Sequence, residues 1–253
     1  MVIIQNETIA NVPVLHVVKE ERKNETLPLI MFVHGFTSAK EHNLHFGYLL
    51  AEAGYRVILP DALYHGEREQ NLTAQQLQLS FWNIVVQTIR EIEQIKGELC
   101  ERNLVEKDRI GIAGTSMGGI VTFGALAVYP WIKAAVSLMG SPRYGAFFDA
   151  QVEMAKKMQL SIPMTAEQLQ KERARLTRYD LSLQPEKLQD RPLMMWHGKR
   201  DQVVPYQYTY EFYEQIKPLY EKGRLKFISD NEAGHKVTRE AFLETVKWFV
   251  EHV

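Results

Sequence analysis

Short apolar runs alternate with longer amphipathic stretches along most of the chain. Six runs are apolar through their middles, and they lie at 27–35, 55–61, 109–114, 133–140, 192–198 and 225–230. Such runs are typical of strands that are covered on both faces, as in a parallel sheet between two helix layers. The alternation therefore predicts an α/β fold with a doubly wound, mostly parallel sheet and helices on both of its faces.

Helical patterns fill the intervals between these runs. They cover 40–53, 73–103, 117–128, 206–222 and 235–252. Two further apolar runs near the start of the chain, VIIQN and VPVLHVV, are predicted to form an antiparallel pair at the edge of the sheet. Because no internal repeat, low-complexity segment or Pro/Gly/Ser linker interrupts the pattern, we interpret 1–253 as one domain.

One interval is too long for a single crossover helix. About fifty residues separate Gly140 from Arg191, and they contain two helix-like segments, AFFDAQVEMAKKMQL and TAEQLQKERARLTRYD. We interpret residues 141–190 as a small helical cap insertion above the C-terminal edge of the sheet, where ligands bind in open α/β folds. An ordinary pair of peripheral helices is the alternative.

Composition and charge narrow the classes of function. The chain has 30 Lys and Arg against 31 Asp and Glu, so its net charge of -1 gives no reason to expect nucleic acid or an anionic membrane as a partner. The single cysteine, Cys100, excludes an internal disulfide and a Cys-rich metal site, and no residue cluster suggests a metal or an organic cofactor. Without a secretory signal or a membrane-spanning apolar run, the chain is expected in the cytoplasm.

The pentapeptide Gly114-Thr115-Ser116-Met117-Gly118 carries the clearest chemical signal. It has the form G-x-S-x-G, follows a strand-like run and leads into a helical one, which is the setting of a nucleophile elbow. Glycine on both sides lets strand and helix approach closely while the serine backbone takes an unfavourable conformation. Ser116 is therefore the candidate nucleophile, and a glycine-rich turn that serves packing alone is the alternative.

A serine nucleophile needs a base and an acid that orients the base. His235 lies between the last predicted strand and the last predicted helix, where a loop can bring its imidazole to the edge that carries Ser116. Asp201 follows the strand at 192–198 and preserves the order Ser, Asp, His. Asp230 and Glu232 compete with Asp201 because they lie close to His235 along the chain.

An oxyanion hole and an acyl pocket complete the predicted site. The backbone N–H of Met117, at the helix start, and that of Phe36, in the loop after the 27–35 strand, are the candidate donors. His34 is interpreted as a brace of that loop that takes no proton in the chemistry. Candidates for an apolar acyl pocket in the cap are Phe147, Phe148, Met154 and Met158, which are equally interpreted as helix-packing core.

Together these residues resemble the α/β-hydrolase superfamily, and within it small bacterial carboxylesterases near the dienelactone-hydrolase and prolyl-oligopeptidase-like branches. The stretches that carry the resemblance are HGFTSAKEH, PDALYHGER, GTSMGG, WHGKRDQVVP and AGH, which span nearly the whole chain. The resemblance implies an acyl-enzyme hydrolase with Ser116, Asp201 and His235 as its catalytic triad and with no cofactor. It also implies small-molecule substrates, namely short- to medium-chain carboxylic esters.

Other functions remain as alternatives. A serine at position 116 departs from the cysteine of usual dienelactone hydrolases and from the aspartate expected in dehalogenases and epoxide hydrolases. The same triad would also serve an acyl thioesterase or a small peptidase. A non-catalytic binding protein with a hydrolase fold is the alternative of a different class.

Overall fold

An eight-stranded sheet forms the centre of the molecule, and the computed structural model describes residues 1–253. The strands are β1 (Val2–Ile9), β2 (Val12–Lys19), β3 (Leu27–Val33), β4 (Arg56–Pro60), β5 (Val105–Thr115), β6 (Ala134–Leu138), β7 (Leu193–Gly198) and β8 (Leu225–Asp230). Their order across the sheet is β1-β2-β4-β3-β5-β6-β7-β8. From β4 to β8 all neighbours are parallel, whereas β1, β2 and β4 pair antiparallel. The predicted antiparallel pair at the edge is therefore confirmed.

Eight α-helices connect the strands. They are α1 (Leu44–Glu52), α2 (Ala74–Leu79), α3 (Phe81–Glu101), α4 (Met117–Val128), α5 (Tyr144–Lys157), α6 (Ala166–Thr177), α7 (Tyr206–Ile216) and α8 (Arg239–His252). Short 3₁₀ turns lie at Glu20–Arg22, Lys40–Asn43, Gly66–Arg68, Leu181–Leu183, Pro185–Leu188 and Lys217–Leu219. None of the helices combines the length and the apolar character that a membrane crossing requires.

Both faces of the sheet are covered, as the apolar runs predict. In β3, Leu29 and Met31 belong to a cluster of 41 buried residues that includes Ile84 of α3. The alternate residue Ile30 belongs to a second cluster of 20 buried residues, which includes Phe249 of α8. Because neighbouring residues of one strand point to opposite faces, a strand between two helix layers is apolar throughout. The doubly wound α/β fold is confirmed.

Two helix boundaries differ from the prediction. The helix predicted over 73–103 is interrupted at Ser80, where α2 ends and α3 begins; α2 has no buried residue, whereas α3 buries one face from Phe81 onward. The last helix begins at Arg239 rather than at His235, because the side chain of Thr238 accepts a hydrogen bond from Ala241 N and caps the helix there. His235 therefore lies in a loop.

The long interval between β6 and β7 contains the two predicted helices, α5 and α6. Gly145 N donates to the Asp180 carboxylate at 2.9 Å, which ties the start of α5 to the chain that follows α6. Trp82 of α3 donates through Nε1 to Gln151 of α5 at 2.7 Å. The first bond thus joins the two ends of the interval to each other, and the second joins the interval to α3.

Candidate active site

Ser116 lies at the junction of β5 and α4 with φ 54° and ψ -114°. A positive φ is costly for a residue with a side chain, and such conformations persist where the surroundings impose them. Here Ser116 N donates to Leu138 O of β6 at 2.8 Å. A Cβ on Gly118 would lie 2.0 Å from Val33 O, and one on Gly114 would lie 2.4 Å from backbone atoms of Gly118. The two glycines are therefore required for this close approach of strand and helix.

The structure brings Ser116, His235 and Asp201 into one chain of hydrogen bonds. Nδ1 of His235 lies 2.7 Å from Oδ2 of Asp201, and Nε2 lies 2.7 Å from Oγ of Ser116. A carboxylate only accepts hydrogen bonds, so Nδ1 carries the ring proton and Nε2 is left to accept from the serine hydroxyl. This arrangement can remove a proton from Ser116 and hold it on His235.

Asp201 is fixed as an ionised acceptor. Its side chain is fully buried, and its Oδ1 accepts from Val203 N at 2.8 Å and from Val204 N at 3.0 Å. Burial on its own would raise the pKa of Asp201, but hydrogen bonds from His197, His235 and the two amides outweigh it and hold this pKa well below the usual range. Asp201 can therefore stabilise positive charge on His235 without taking the proton.

The competing carboxylates, Asp230 and Glu232, make other contacts. Oδ1 of Asp230 accepts from Glu232 N and from Ala233 N, both at 2.9 Å, and so closes the turn after β8. Glu232 forms an exposed ion pair with Arg200 at 2.5 Å. Neither carboxylate forms a hydrogen bond with His235, so Asp201 is the carboxylate that contacts the imidazole.

Two backbone N–H groups near Ser116 are the predicted oxyanion donors. Met117 is the first residue of α4, so its N–H has no partner inside the helix. Phe36 N makes no hydrogen bond within the chain. A Cβ on Gly35 would lie 3.6 Å from Cβ of Ser116, which shows that the loop carrying Phe36 runs against the serine. Both donors are available to an oxyanion formed at Ser116.

Two neutral histidines hold that loop. His34 Nδ1 donates to Gly35 O at 2.7 Å while its Nε2 accepts from Ala62 N at 3.0 Å. Likewise, His65 Nε2 accepts from Thr37 N at 3.0 Å. Burial lowers the pKa of His34 to about 4 and lowers that of His65, because the charged rings would lose both water and their accepted bonds. The bracing role predicted for His34 agrees with these contacts, whereas the role of His65 was not predicted.

A buried lysine joins the same loop to the chain after β4. Lys40 Nζ lies 2.8 Å from Asp61, 2.8 Å from Glu67 and 3.0 Å from Glu41. Asp61 also accepts from the backbone N–H of Lys40 at 3.0 Å. Sequence patterns do not reveal this cluster, since Asp61 and Glu67 are more than twenty residues from Lys40 and all of its members look like ordinary surface charges.

A row of aromatic rings leads away from the Phe36 loop. The Phe36 ring lies 5.4 Å from Phe81, Phe81 lies 6.2 Å from Phe147, and Phe147 lies 6.4 Å from Tyr208. Phe147 is thus connected to the site through Phe81, a residue that was not among the predicted pocket residues. The only signal for Phe81 was its place at the start of the buried face of α3.

The other predicted pocket residues lie elsewhere. Phe148 lines a cavity of about 300 Å³ between α5 and α6 together with Val152 and Leu169, which is a packing position. Met154 and Met158 are 57% and 62% exposed, so most of their side-chain surface faces solvent, whereas Phe147 is buried. The amphipathic pattern of the segment does not show whether such an apolar residue faces the site or the solvent.

Known proteins resemble this chain over most or all of its length. A sequence profile described as the prolyl oligopeptidase family matches residues 45–253. YitV of Bacillus subtilis (strain 168), named as a candidate esterase, is 51% identical over 251 residues that cover 98% of each chain. The esterase YjfP of Escherichia coli (strain K12) is 34% identical over 259 residues that cover 100% of each chain. The structure of a candidate dienelactone hydrolase from Klebsiella pneumoniae covers 99% of each chain with a TM-score of 0.69 at 18% identity, and so shares the α/β-hydrolase fold.

Proposed function

The chain belongs to the prolyl oligopeptidase family and is a serine hydrolase, and we propose that it is a carboxylesterase acting through an acyl-enzyme intermediate. Its substrates are small-molecule carboxylic esters of short to medium acyl length. The observation that carries the proposal is the chain of hydrogen bonds from Ser116 through His235 to Asp201, with bonds of 2.7 Å on both sides of the imidazole.

The proposed reaction has two halves. His235 Nε2 takes the hydroxyl proton of Ser116 as Oγ attacks the ester carbonyl, and the resulting oxyanion accepts from the N–H groups of Phe36 and Met117. His235 then protonates the leaving alcohol as its bond to the acyl carbon breaks. In the second half His235 deprotonates a water molecule, which attacks the acyl-enzyme and releases the acid and free Ser116. No step requires a metal or an organic cofactor.

We assign the acyl side of the site to the aromatic row. The ring of Phe36 belongs to the loop that supplies an oxyanion donor, so the rings behind it, Phe81 and Phe147, are placed to meet the acyl chain. Phe147 is contributed by the 141–190 segment, which supports the interpretation of that segment as a cap. The exposed positions of Met154 and Met158 do not support their part in this pocket.

Ester hydrolysis is separated from its alternatives by a matched substrate panel. The value of kcat/KM is measured for p-nitrophenyl esters of graded acyl length, for a thioester of the same acyl groups and for the corresponding p-nitroanilides. We expect the best ester to exceed the thioester and the anilide by more than about tenfold, and Ser116→Ala to show only background hydrolysis. A preferred anilide would identify a peptidase, a preferred thioester a thioesterase, and no turnover of any substrate would contradict a catalytic function.

A further inference from the structure

His197 lies behind the acid of the candidate triad, and the proposed function leaves it without a role. It is in β7, four residues before Asp201, and its side chain is fully buried. Nε2 lies 3.0 Å from Val204 O and 3.3 Å from Asp201 Oδ2, and Nδ1 lies 3.0 Å from Thr209 Oγ1. Each ring nitrogen therefore faces an oxygen atom.

The hydrogen-bond partners of the His197 ring show how many of its two nitrogens carry a proton. Thr209 Oγ1 lies 2.7 Å from Gly140 O, a carbonyl that has no other partner, so the hydroxyl donates there and accepts from His197 Nδ1. On the other side, Val204 O and the Asp201 carboxylate only accept, so Nε2 donates as well. A neutral ring that took the Thr209 proton on Nδ1 would leave two oxygens 2.7 Å apart with no proton between them.

We propose that His197 is a buried imidazolium that acts as a second positioning residue for Asp201. Oδ2 of Asp201 is then shared between two histidines, with His235 at 2.7 Å and His197 at 3.3 Å. This inference rests on the proposed function, because a role in positioning has meaning only if Asp201 orients the catalytic base.

The charge of His197 has a direct effect on the base. It offsets part of the negative charge of Asp201, so it weakens the stabilisation that this carboxylate gives to a positive charge on His235. The groups that face His197 are Asp201 from the loop after β7, Thr209 and the ring of Tyr206 from α7, and the Gly140 carbonyl after β6. Asp201 is the only charged side chain paired with either histidine.

The same bonds connect the acid to the nucleophile. Gly140 packs so tightly on α4 that a Cβ there would lie 2.4 Å from the carbonyl carbon of Gly119. The path Asp201, His197, Thr209 and Gly140 thus runs from the orienting acid to the helix that begins after Ser116. A change of charge at His197 is therefore expected to affect the relative placement of acid and nucleophile.

The protonation state is measured by ¹⁵N NMR of the full chain labelled at histidine. At about pH 8.5 exposed histidines are neutral, and we expect one of the eight imidazoles to keep both ring protons. That signal should be absent from His197→Gln. No doubly protonated ring in the wild type, or the same signal in His197→Gln, would overturn the proposal. Because this measurement needs no turnover, it decides the proposal even if the chain hydrolyses no ester.

The effect on the base is measured from kcat/KM against pH with a p-nitrophenyl ester. We expect the midpoint of the acid limb to move upward by about one pH unit in His197→Gln and in the same direction in Thr209→Val, which removes the acceptor of Nδ1. Thr209→Ser keeps the hydroxyl and should restore the wild-type midpoint. A loss of kcat in His197→Gln and Thr209→Val with an unmoved acid limb would assign His197 a structural role alone and contradict the proposal.

Discussion

The brace formed by His34 should make the stability of the protein depend on pH in a defined way. The pKa of this ring is about 4 in the folded protein, because burial opposes its charge, against a value of about 6.5 in an unfolded chain. A lowered pKa means that the neutral ring stabilises the fold above about pH 6.5 and that this contribution is lost as the pH falls toward about 4. Proton linkage between these values gives a loss of about 2 kcal/mol between about pH 7.5 and about pH 5.

Urea unfolding followed by tryptophan fluorescence at both pH values measures this loss. His34→Gln removes the titrating ring, so the free energy of unfolding of that variant should fall by about 2 kcal/mol less over the same interval than that of the wild type. His42→Gln is the matched control, since His42 is exposed and its replacement should leave the pH dependence unchanged. An equal pH dependence in wild type and His34→Gln would refute the reasoning.

Three further predictions test the elbow and the acyl pocket. Gly118→Ala places a Cβ 2.0 Å from Val33 O and should lower the free energy of unfolding by more than about 2 kcal/mol. Gly97→Ala is the control: its Cβ would have no atom within 4 Å, and the free energy of unfolding should rise by about 0.5 kcal/mol. Equal effects of the two substitutions would contradict the close approach at the elbow. Both Ser116→Gly and Ser116→Ala remove the hydroxyl, but the glycine relieves the strain at φ 54°, so the free energy of unfolding of Ser116→Gly should be higher than that of Ser116→Ala by about 1 kcal/mol. For Phe147→Ala, the kcat/KM ratio of an octanoyl to an acetyl ester should rise about tenfold, and a ratio unchanged from wild type would remove Phe147 from the acyl pocket.

The sequence predicts the fold well because its signals are local. A strand such as β3 is apolar at every position since both of its faces are covered, and this pattern is readable without knowledge of its neighbours. In β5, by contrast, the strand begins four residues before the predicted run, at Val105, and residues 106–108 are polar, so this part of the strand has no apolar signature. The break at Ser80 is likewise absent from the predicted helix over 73–103, because the helical pattern continues across it although α2 has no buried residue.

The sequence predicts those residues of the candidate site that directly follow a predicted strand. Ser116, Asp201 and His235 each follow a parallel strand, and parallel strands bring their carboxyl ends to one edge, so their meeting follows from topology. Side-chain contacts that depend on how the helices are placed on the sheet could not be predicted from the sequence. Phe81 reaches Phe36 and His197 reaches Thr209 because of where α3 and α7 lie on the sheet, and the exposure of Met154 likewise depends on which side of α5 is covered.

The assignment of Ser116 as the nucleophile is tested most directly by its covalent capture. The full chain is treated with a fluorophosphonate, its intact mass is measured and the modified peptide is identified by fragmentation. We predict one adduct per chain, located on Ser116, and no adduct on Ser116→Ala. An adduct of equal yield on Ser116→Ala, or its location on any other residue of the wild type, would contradict the assignment.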